Sequence, residues 1–188
     1  MKPLENERYG MIRLFEACIS ALALLVERDA QLFTWKRGRI AICHRLSQHL
    51  EHLVFSNGQN SQNQKYFFDL YASIGGGISR LVPDILLHNR NEIEPERRMA
   101  IVWREGYLSE EELGALHDLK NKALCDLTLA IALLPQKDYL LIYRADESRI
   151  DYYHFNKTDA HCYLLKQREV CELSNDKSQL RLGIKNLK

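Results

Sequence analysis

The sequence has almost no net charge of either sign. Its 26 Lys and Arg residues balance 25 Asp and Glu residues, which leaves a formal net charge of +1. A protein that attracts nucleic acid through its overall field carries a clear positive excess. The whole-chain charge therefore gives no support for a nucleic-acid partner, and such a partner would need a local basic surface.

Paired cysteines and long apolar segments are also missing. The five cysteines are odd in number and none stands in a C-x-x-C spacing, which argues against a zinc site. The longest apolar run, residues 127–135, is far too short to span a bilayer, and the charged N-terminus lacks the apolar part of a secretory signal. We therefore expect a cytoplasmic protein with no membrane partner.

The hydrophobic pattern predicts a single α/β domain over residues 1–188. Apolar residues recur at helical spacing in two N-terminal helices within 7–54, and β-rich segments with one further helix fill 65–156. The segment 157–188 is less regular. The predicted elements are helices over 7–28 and 39–54, strands over 65–74, 82–88 and 99–103, a helix between Ser109 and Pro135, and strands over 138–144, 149–155 and 161–166.

A Pro-Asp pair at the start of one apolar strand is the most informative local feature. The segment reads Arg80-Leu-Val-Pro-Asp84-Ile-Leu-Leu-His88-Asn-Arg90. A carboxylate is costly to bury without a partner, so Asp84 needs either a neighbour or a chemical role. Asp84 could cap a turn, pair with Arg80 or Arg90, or ligate a metal ion.

Two further residues could join Asp84 in one site. Glu51 follows His44 by nearly two helical turns, so both share one face of the second helix, although Glu51 also fits an ordinary rim position. Arg104 ends the strand after Asp84. A helical glutamate and a strand aspartate can hold Mg²⁺, which often takes only one or two carboxylates together with waters and phosphate oxygens. Such an ion can activate water for phosphodiester hydrolysis.

These motifs resemble the PD-(D/E)xK restriction-endonuclease-like nucleases. The resemblance rests on His44-Arg-Leu-Ser-Gln-His-Leu-Glu51 followed by the Asp84 segment, and it covers roughly residues 38–145. It implies an α/β fold with a restriction-endonuclease-like mixed β-sheet flanked by α-helices. It also implies that Glu51 and Asp84 hold a divalent cation such as Mg²⁺, and that a D/E-x-K motif on the next strand completes the site.

The chain departs from this pattern on that next strand. Aligning Arg104 with the family's lysine puts Val102 where the second carboxylate belongs, and valine cannot ligate a metal. Arginine can neutralise a phosphate but does not readily lose a proton, so it cannot act as a base. Glu105 would point away from Arg104 because side chains alternate along a strand. A substitute carboxylate could come from the turn that carries Glu92, Glu94 and Glu96, although nothing in the spacing demands it.

Basic residues near these motifs form the candidate nucleic-acid surface. No acidic residue stands between Asp29 and Glu51, where four basic residues occur, and two arginines flank Asp84. Such a group is often only a solvated face. The candidate nucleic-acid-binding residues are Lys36, Arg37, Arg39, Arg45, Arg80 and Arg90.

We therefore expect a degenerate restriction-endonuclease-like domain with weak or absent metal-dependent nuclease activity. It would bind nucleic acid or a partner protein, with Asp84, Glu51 and Arg104 as the catalytic residues if any activity remains. One alternative is a competent Mg²⁺-dependent nuclease with a migrated carboxylate, and another is a purely structural or regulatory module. The resemblance also leaves a homodimer open.

Overall fold

The computed structural model describes residues 3–35, 38–55, 65–74, 81–123 and 125–173. The predicted polar loop 56–64, the glycines 75–77 and the end of the predicted C-terminal segment lie outside the described residues. The same holds for Lys36, Arg37 and Arg80. The elements with defined bounds are α1 (Pro3–Asp29), a 3₁₀-helix (Ala30–Thr34), α2 (Arg39–Phe55), β1 (Phe67–Leu70), β2 (Ile85–His88), β3 (Arg97–Glu105), α3 (Glu110–Asn121), β4 (Cys125–Leu133), β5 (Tyr139–Ala145), β6 (Arg149–Asn156) and β7 (Cys162–Glu169).

The seven strands form one mixed sheet in sequential order from β1 to β7. Each neighbouring pair is antiparallel except β3 and β4, which are parallel and are connected through α3. Helices pack on both faces of this mixed sheet. This arrangement confirms the predicted α/β class. Parallel neighbours need a crossover connection, and α3 supplies it.

Two hydrophobic clusters lie on opposite faces of this sheet. On the first face, which we call the α1–α2 face, Ile85, Ile101 and Trp103 pack with the apolar stripes of α1 and α2. On the second, the α3 face, Leu86 and Val102 pack with α3. Alternation along β2 and β3 thus assigns each strand residue to one helical layer.

The predicted helix between Ser109 and Pro135 is wrong in its second half. Its start is confirmed, because Ser109 and Glu112 form a reciprocal capping box at the beginning of α3. The helix ends at Asn121, however, and the apolar run that follows is strand β4, buried along almost its whole length. Leu127 and Ile131 are four residues apart, a spacing that fits a helix face and also a two-residue strand alternation.

Candidate functional site around Asp84

The Asp84 side chain lies in the protein interior, where β2 begins. The residue is 1% exposed. Its backbone N–H donates to Ile101 O at 2.8 Å, and its carbonyl accepts from Tyr71 N at 3.0 Å. Ile101 therefore faces both Asp84 and its own ladder partner Ile85, while Val102, which is fully buried, packs with the α3 layer. The position that the D/E-x-K comparison assigns to a second carboxylate therefore holds an apolar side chain on the α3 face, whereas the Asp84 carboxylate contacts Arg39 of α2.

Both carboxylate oxygens of Asp84 have donors within the protein. Oδ2 accepts from the backbone N–H of Trp103 at 2.7 Å. Oδ1 accepts from Arg39 Nε at 2.8 Å and lies 2.7 Å from Arg39 Nη2. Asp84 is thus a paired carboxylate, and its partner is Arg39, the first residue of α2. This matches the pairing interpretation from the sequence, with a different arginine.

The groups next to this ion pair are uncharged at neutral pH. Burial raises the pKa of the Cys43 thiol to about 12, and the nearby Asp84 carboxylate adds to the effect. Burial also raises the pKa of Tyr71 to about 12, with further contributions from Cys43 and Asp84. A thiol and a phenol with such values supply neither a nucleophile nor a general base.

Glu51 lies far along α2 from the residue that contacts Asp84. It is exposed, as is His44 on the same helix. Glu51 follows Arg39 by twelve residues, which corresponds to about 18 Å along the helix axis at 1.5 Å per residue. The last residue of α2, Phe55, packs on Phe68 in β1, with the ring centroids 5.8 Å apart. The carboxyl-terminal end of α2 therefore packs on β1, whereas Asp84 is contacted by the amino-terminal end of the same helix.

Arg104 lies on the opposite side of the sheet from α2. Trp103 belongs to the α1–α2 face, so the next side chain along β3 points to the α3 face. There Arg104 Nε donates to Glu112 Oε1 at 3.0 Å, and Nη1 donates to the carbonyl of Trp103 at 2.9 Å. The hydrogen bond from the Ser109 backbone, reinforced by Arg104, lowers the pKa of Glu112. The structure therefore does not bring Glu51, Asp84 and Arg104 together.

The described arginines of the candidate nucleic-acid surface each pair with a carboxylate. Besides Arg39, Arg45 donates to both oxygens of Asp29 at 3.0 Å. Arg90 donates through Nε to Asp69 Oδ2 at 2.8 Å. These pairs leave little uncompensated positive charge at the three arginines. Any electrostatic attraction for phosphate is weakened accordingly.

The turn between β2 and β3 offers no carboxylate close to Asp84. Glu96 binds the Lys65 ammonium and the Tyr66 hydroxyl, while Glu92 and Glu94 are exposed. This turn follows the carboxyl end of β2, whereas Asp84 precedes its amino end. At about 3.4 Å per residue, the five positions from Asp84 to the start of the turn span about 17 Å.

The sequence did not predict a cluster of interacting side chains on β1 and β2. Asp69 Oδ2 lies 2.8 Å from His88 Nε2 and accepts from Arg90, whose guanidinium stacks 4.3 Å from the Phe67 ring centroid. The Arg90 hydrogen bond lowers the pKa of Asp69, and His88 contributes, although burial opposes both. The residue that could have indicated this cluster is Asp69, because it is a carboxylate within an aromatic-rich strand. The strand pairing that joins it to His88 cannot be seen in either segment alone.

The arrangement around Asp84 does not fit a magnesium ion. A cation there would have to displace Arg39 and the Trp103 amide, and Glu51 is not at hand as a second ligand. Within the described residues, no group of three or more His, Cys, Asp or Glu side chains could hold a metal ion. In the same part of the chain, no helix is long and apolar enough to cross a membrane.

Comparisons with protein-family models, with curated proteins and with solved structures found no match for this chain.

Proposed function

We propose that this protein is a degenerate restriction-endonuclease-like domain that binds nucleic acid or a partner protein and has lost metal-dependent cleavage. One observation carries the proposal. The carboxylate of Asp84, which would be the central metal ligand of such a nuclease, is saturated by Arg39 and by the Trp103 amide. An aspartate held in this way serves the fold and is not available to a cation.

The position of Val102 supports the loss of cleavage. The resemblance would place the second carboxylate at position 102 on β3, but that side chain packs with the α3 layer, whereas the Asp84 carboxylate contacts Arg39 of α2. Valine there is fully buried against the α3 layer, a surrounding that favours an apolar side chain. A competent nuclease with a carboxylate from the Glu92–Glu96 turn receives less support, because that turn lies at the far end of β2.

A purely structural or regulatory module is the second candidate. It is favoured by the neutralised arginines, since phosphate binding depends on a positive field. Direct binding to nucleic acid is expected only for the first candidate, so saturable binding would favour it over a purely structural or regulatory module.

The test is cleavage of labelled single- and double-stranded DNA and RNA with Mg²⁺ or Mn²⁺. We would compare the natural protein with Glu51→Gln, which changes an exposed side chain and should leave folding intact. The expected result is no product above the buffer blank for either protein. Metal-dependent cleavage that disappears in Glu51→Gln would overturn the proposal and restore the nuclease interpretation.

The same substrates also serve for binding, measured by fluorescence anisotropy in EDTA at two salt concentrations. Saturable binding that weakens as salt rises would support a nucleic-acid-binding role. The absence of binding to all four substrates would remove nucleic acid from the proposal and leave a partner-binding or structural role.

A further inference from the structure

The last strand of the sheet, β7, presents a long apolar edge. Among the described residues it pairs only with β6, so its other edge has no strand beside it. Three consecutive apolar residues in β7 are about half exposed, namely Tyr163 (45%), Leu164 (46%) and Leu165 (50%). Because side chains alternate, apolar surface is exposed on both faces of this strand. Such an edge is a template for pairing with another strand.

The opposite edge of the sheet does not share these properties. β1 has only four residues, each partly buried. Ion pairs also involve it or the residues beside it, between Asp69 and Arg90 and between Lys65 and Glu96. Short edge strands and charged side chains are the usual protection against pairing. Since β7 has eight residues and its first half is apolar, it is the edge that favours a partner strand.

The backbone groups that face outward on β7 can be assigned from its pairing with β6. Asn156 N donates to His161 O at 2.9 Å, and the register pairs His154 with Tyr163. In an antiparallel pair, the N–H and C=O of one residue point to the same side, and successive residues alternate. His161 and Tyr163 therefore point toward β6, whereas Cys162 and Leu164 direct their backbone groups to the open edge.

A row of stacked rings ends at this edge. Tyr139 on β5 lies 4.5 Å from His154 on β6, and His154 lies 4.9 Å from Tyr163 on β7, measured between ring centroids. These separations match the spacing of neighbouring strands. Each ring stands beside the next across the sheet, so Tyr163 is the last member, and no strand of the described part of the chain lies on its outer side.

We propose that β7 pairs antiparallel with β7 of a second copy of this chain, with the two-fold axis at Tyr163. This register joins the outward backbone groups of Cys162 in one copy to those of Leu164 in the other. Tyr163 then faces itself in a non-hydrogen-bonded pair, where side chains approach most closely. The two rows of rings become one continuous row of six.

A two-fold axis brings identical residues together, so the register must also avoid like charges. With Tyr163 on the axis, Lys166 of each copy lies past Cys162, the first residue of β7 in the other copy, so the two lysines stay apart. Placing Leu164 on the axis would also satisfy the outward backbone groups, but it would separate the two rows of rings. The aromatic row therefore favours Tyr163.

The association should be weak, because a single strand edge buries less than the roughly 800 Å² per partner of a standard interface. We therefore expect a dissociation constant of micromolar order. Sedimentation velocity over a wide range of protein concentrations would show a shift from monomer to dimer. A protein that stays monomeric at the highest concentration would overturn the proposal.

Leu164→Pro tests the edge directly. The N–H of Leu164 points outward, so proline there removes a donor from the interface and none from the β6–β7 ladder. Tyr163→Lys is the second variant, because it places two like charges at the axis. Ile93→Ser is the matched control, since Ile93 is 91% exposed in the β2–β3 turn, outside β7. Dimer loss in both β7 variants, with the control unchanged, is the expected result. A dimer that survives both would mean that another surface is responsible.

Cross-linking tests the register. In a Cys162→Ser and Cys171→Ser background, Tyr163→Cys should form an intermolecular disulfide on mild oxidation. Non-hydrogen-bonded antiparallel partners have Cα atoms about 4.5 Å apart, within the range that a disulfide spans. Lys166→Cys in the same background lies three residues from the axis, so the two introduced cysteines are far apart along the paired strands and should not cross-link. A dimer in which only Lys166→Cys cross-links would overturn the register.

Discussion

Replacing Arg39 with alanine should destabilise the protein strongly, because it leaves the buried Asp84 carboxylate with one remaining donor among the described residues, the Trp103 N–H. The Asp84 side chain is fully buried, whereas that of Arg39 is 42% exposed. Breaking a buried ion pair by removing one partner typically costs roughly 3–5 kcal/mol. Water can partly replace the exposed guanidinium, so we expect the lower end of that range, about 3 kcal/mol.

Urea denaturation followed by tryptophan fluorescence would measure this change. The chain has two tryptophans, and Trp103 donates its backbone N–H to Asp84. With a slope of roughly 2 kcal/mol per molar urea, a loss of about 3 kcal/mol lowers the midpoint by about 1.5 M. Lys122→Ala is the control, because its ion pair with Asp118 is exposed and should contribute no more than about 0.5 kcal/mol.

A double-mutant cycle separates the buried charge from the lost contact. Asp84→Asn removes the charge, and its amide oxygen can still accept from the Trp103 N–H. Combining Asp84→Asn with Arg39→Ala should therefore be clearly less destabilising than the sum of the two single changes. An Arg39→Ala loss below about 1 kcal/mol, or strictly additive effects, would refute the conclusion that Arg39 compensates a buried Asp84 charge.

Three further changes test other parts of the structure. Ser109→Ala removes half of the capping box of α3 and should lower the free energy of unfolding by about 1 kcal/mol in urea titrations; no change would argue against the cap. Burial of Asp29 opposes its ionisation, but hydrogen bonds from His49 and Arg45 outweigh this and lower its pKa below the ordinary 3.8. The resulting stability is present above pH 3.8 and is lost as the pH falls through the lowered pKa, so Asp29→Asn should flatten the acid limb of a stability–pH curve, and an unchanged limb would contradict the assignment. Val102→Asp introduces a carboxylate into the α3-facing core and should cost several kcal/mol by thermal melting, whereas a stable variant would show that the position tolerates the carboxylate expected of a nuclease.

Much of the architecture follows from the periodicity of the sequence. The helical stripe of α1 and that of α2 predicted both helices, and alternation predicted β5 and β6 closely. β4 could not be recognised in this way, because a strand buried on both faces is a continuous apolar run. The run also follows α3 with only a short break, so its residues extend the helical pattern by coincidence.

The candidate site was only partly predictable. The apolar run after Pro83 indicated that Asp84 is buried and needs a partner, and both points agree with the structure. The identity of the partner was out of reach, since Arg39 is 45 residues away and approaches only when α2 packs on the sheet. The expected convergence of Glu51 and Arg104 on Asp84 depended on which face each element presents, and the resemblance alone could not fix that.

The surroundings of Asp84 give its carboxylate two tasks within the fold. Its Oδ2 accepts the hydrogen bond of the Trp103 N–H just beyond the end of the β2 ladder, so this buried backbone donor has a partner. Its Oδ1 places negative charge at the first residue of α2, whose own first turn has no acidic side chain. Negative charge near a helix N-terminus is favourable, and here it also compensates Arg39. An apolar residue could fill the space but could do neither task. The Pro-Asp motif therefore reports a requirement of the fold, and it becomes evidence of catalysis only where a second carboxylate accompanies it.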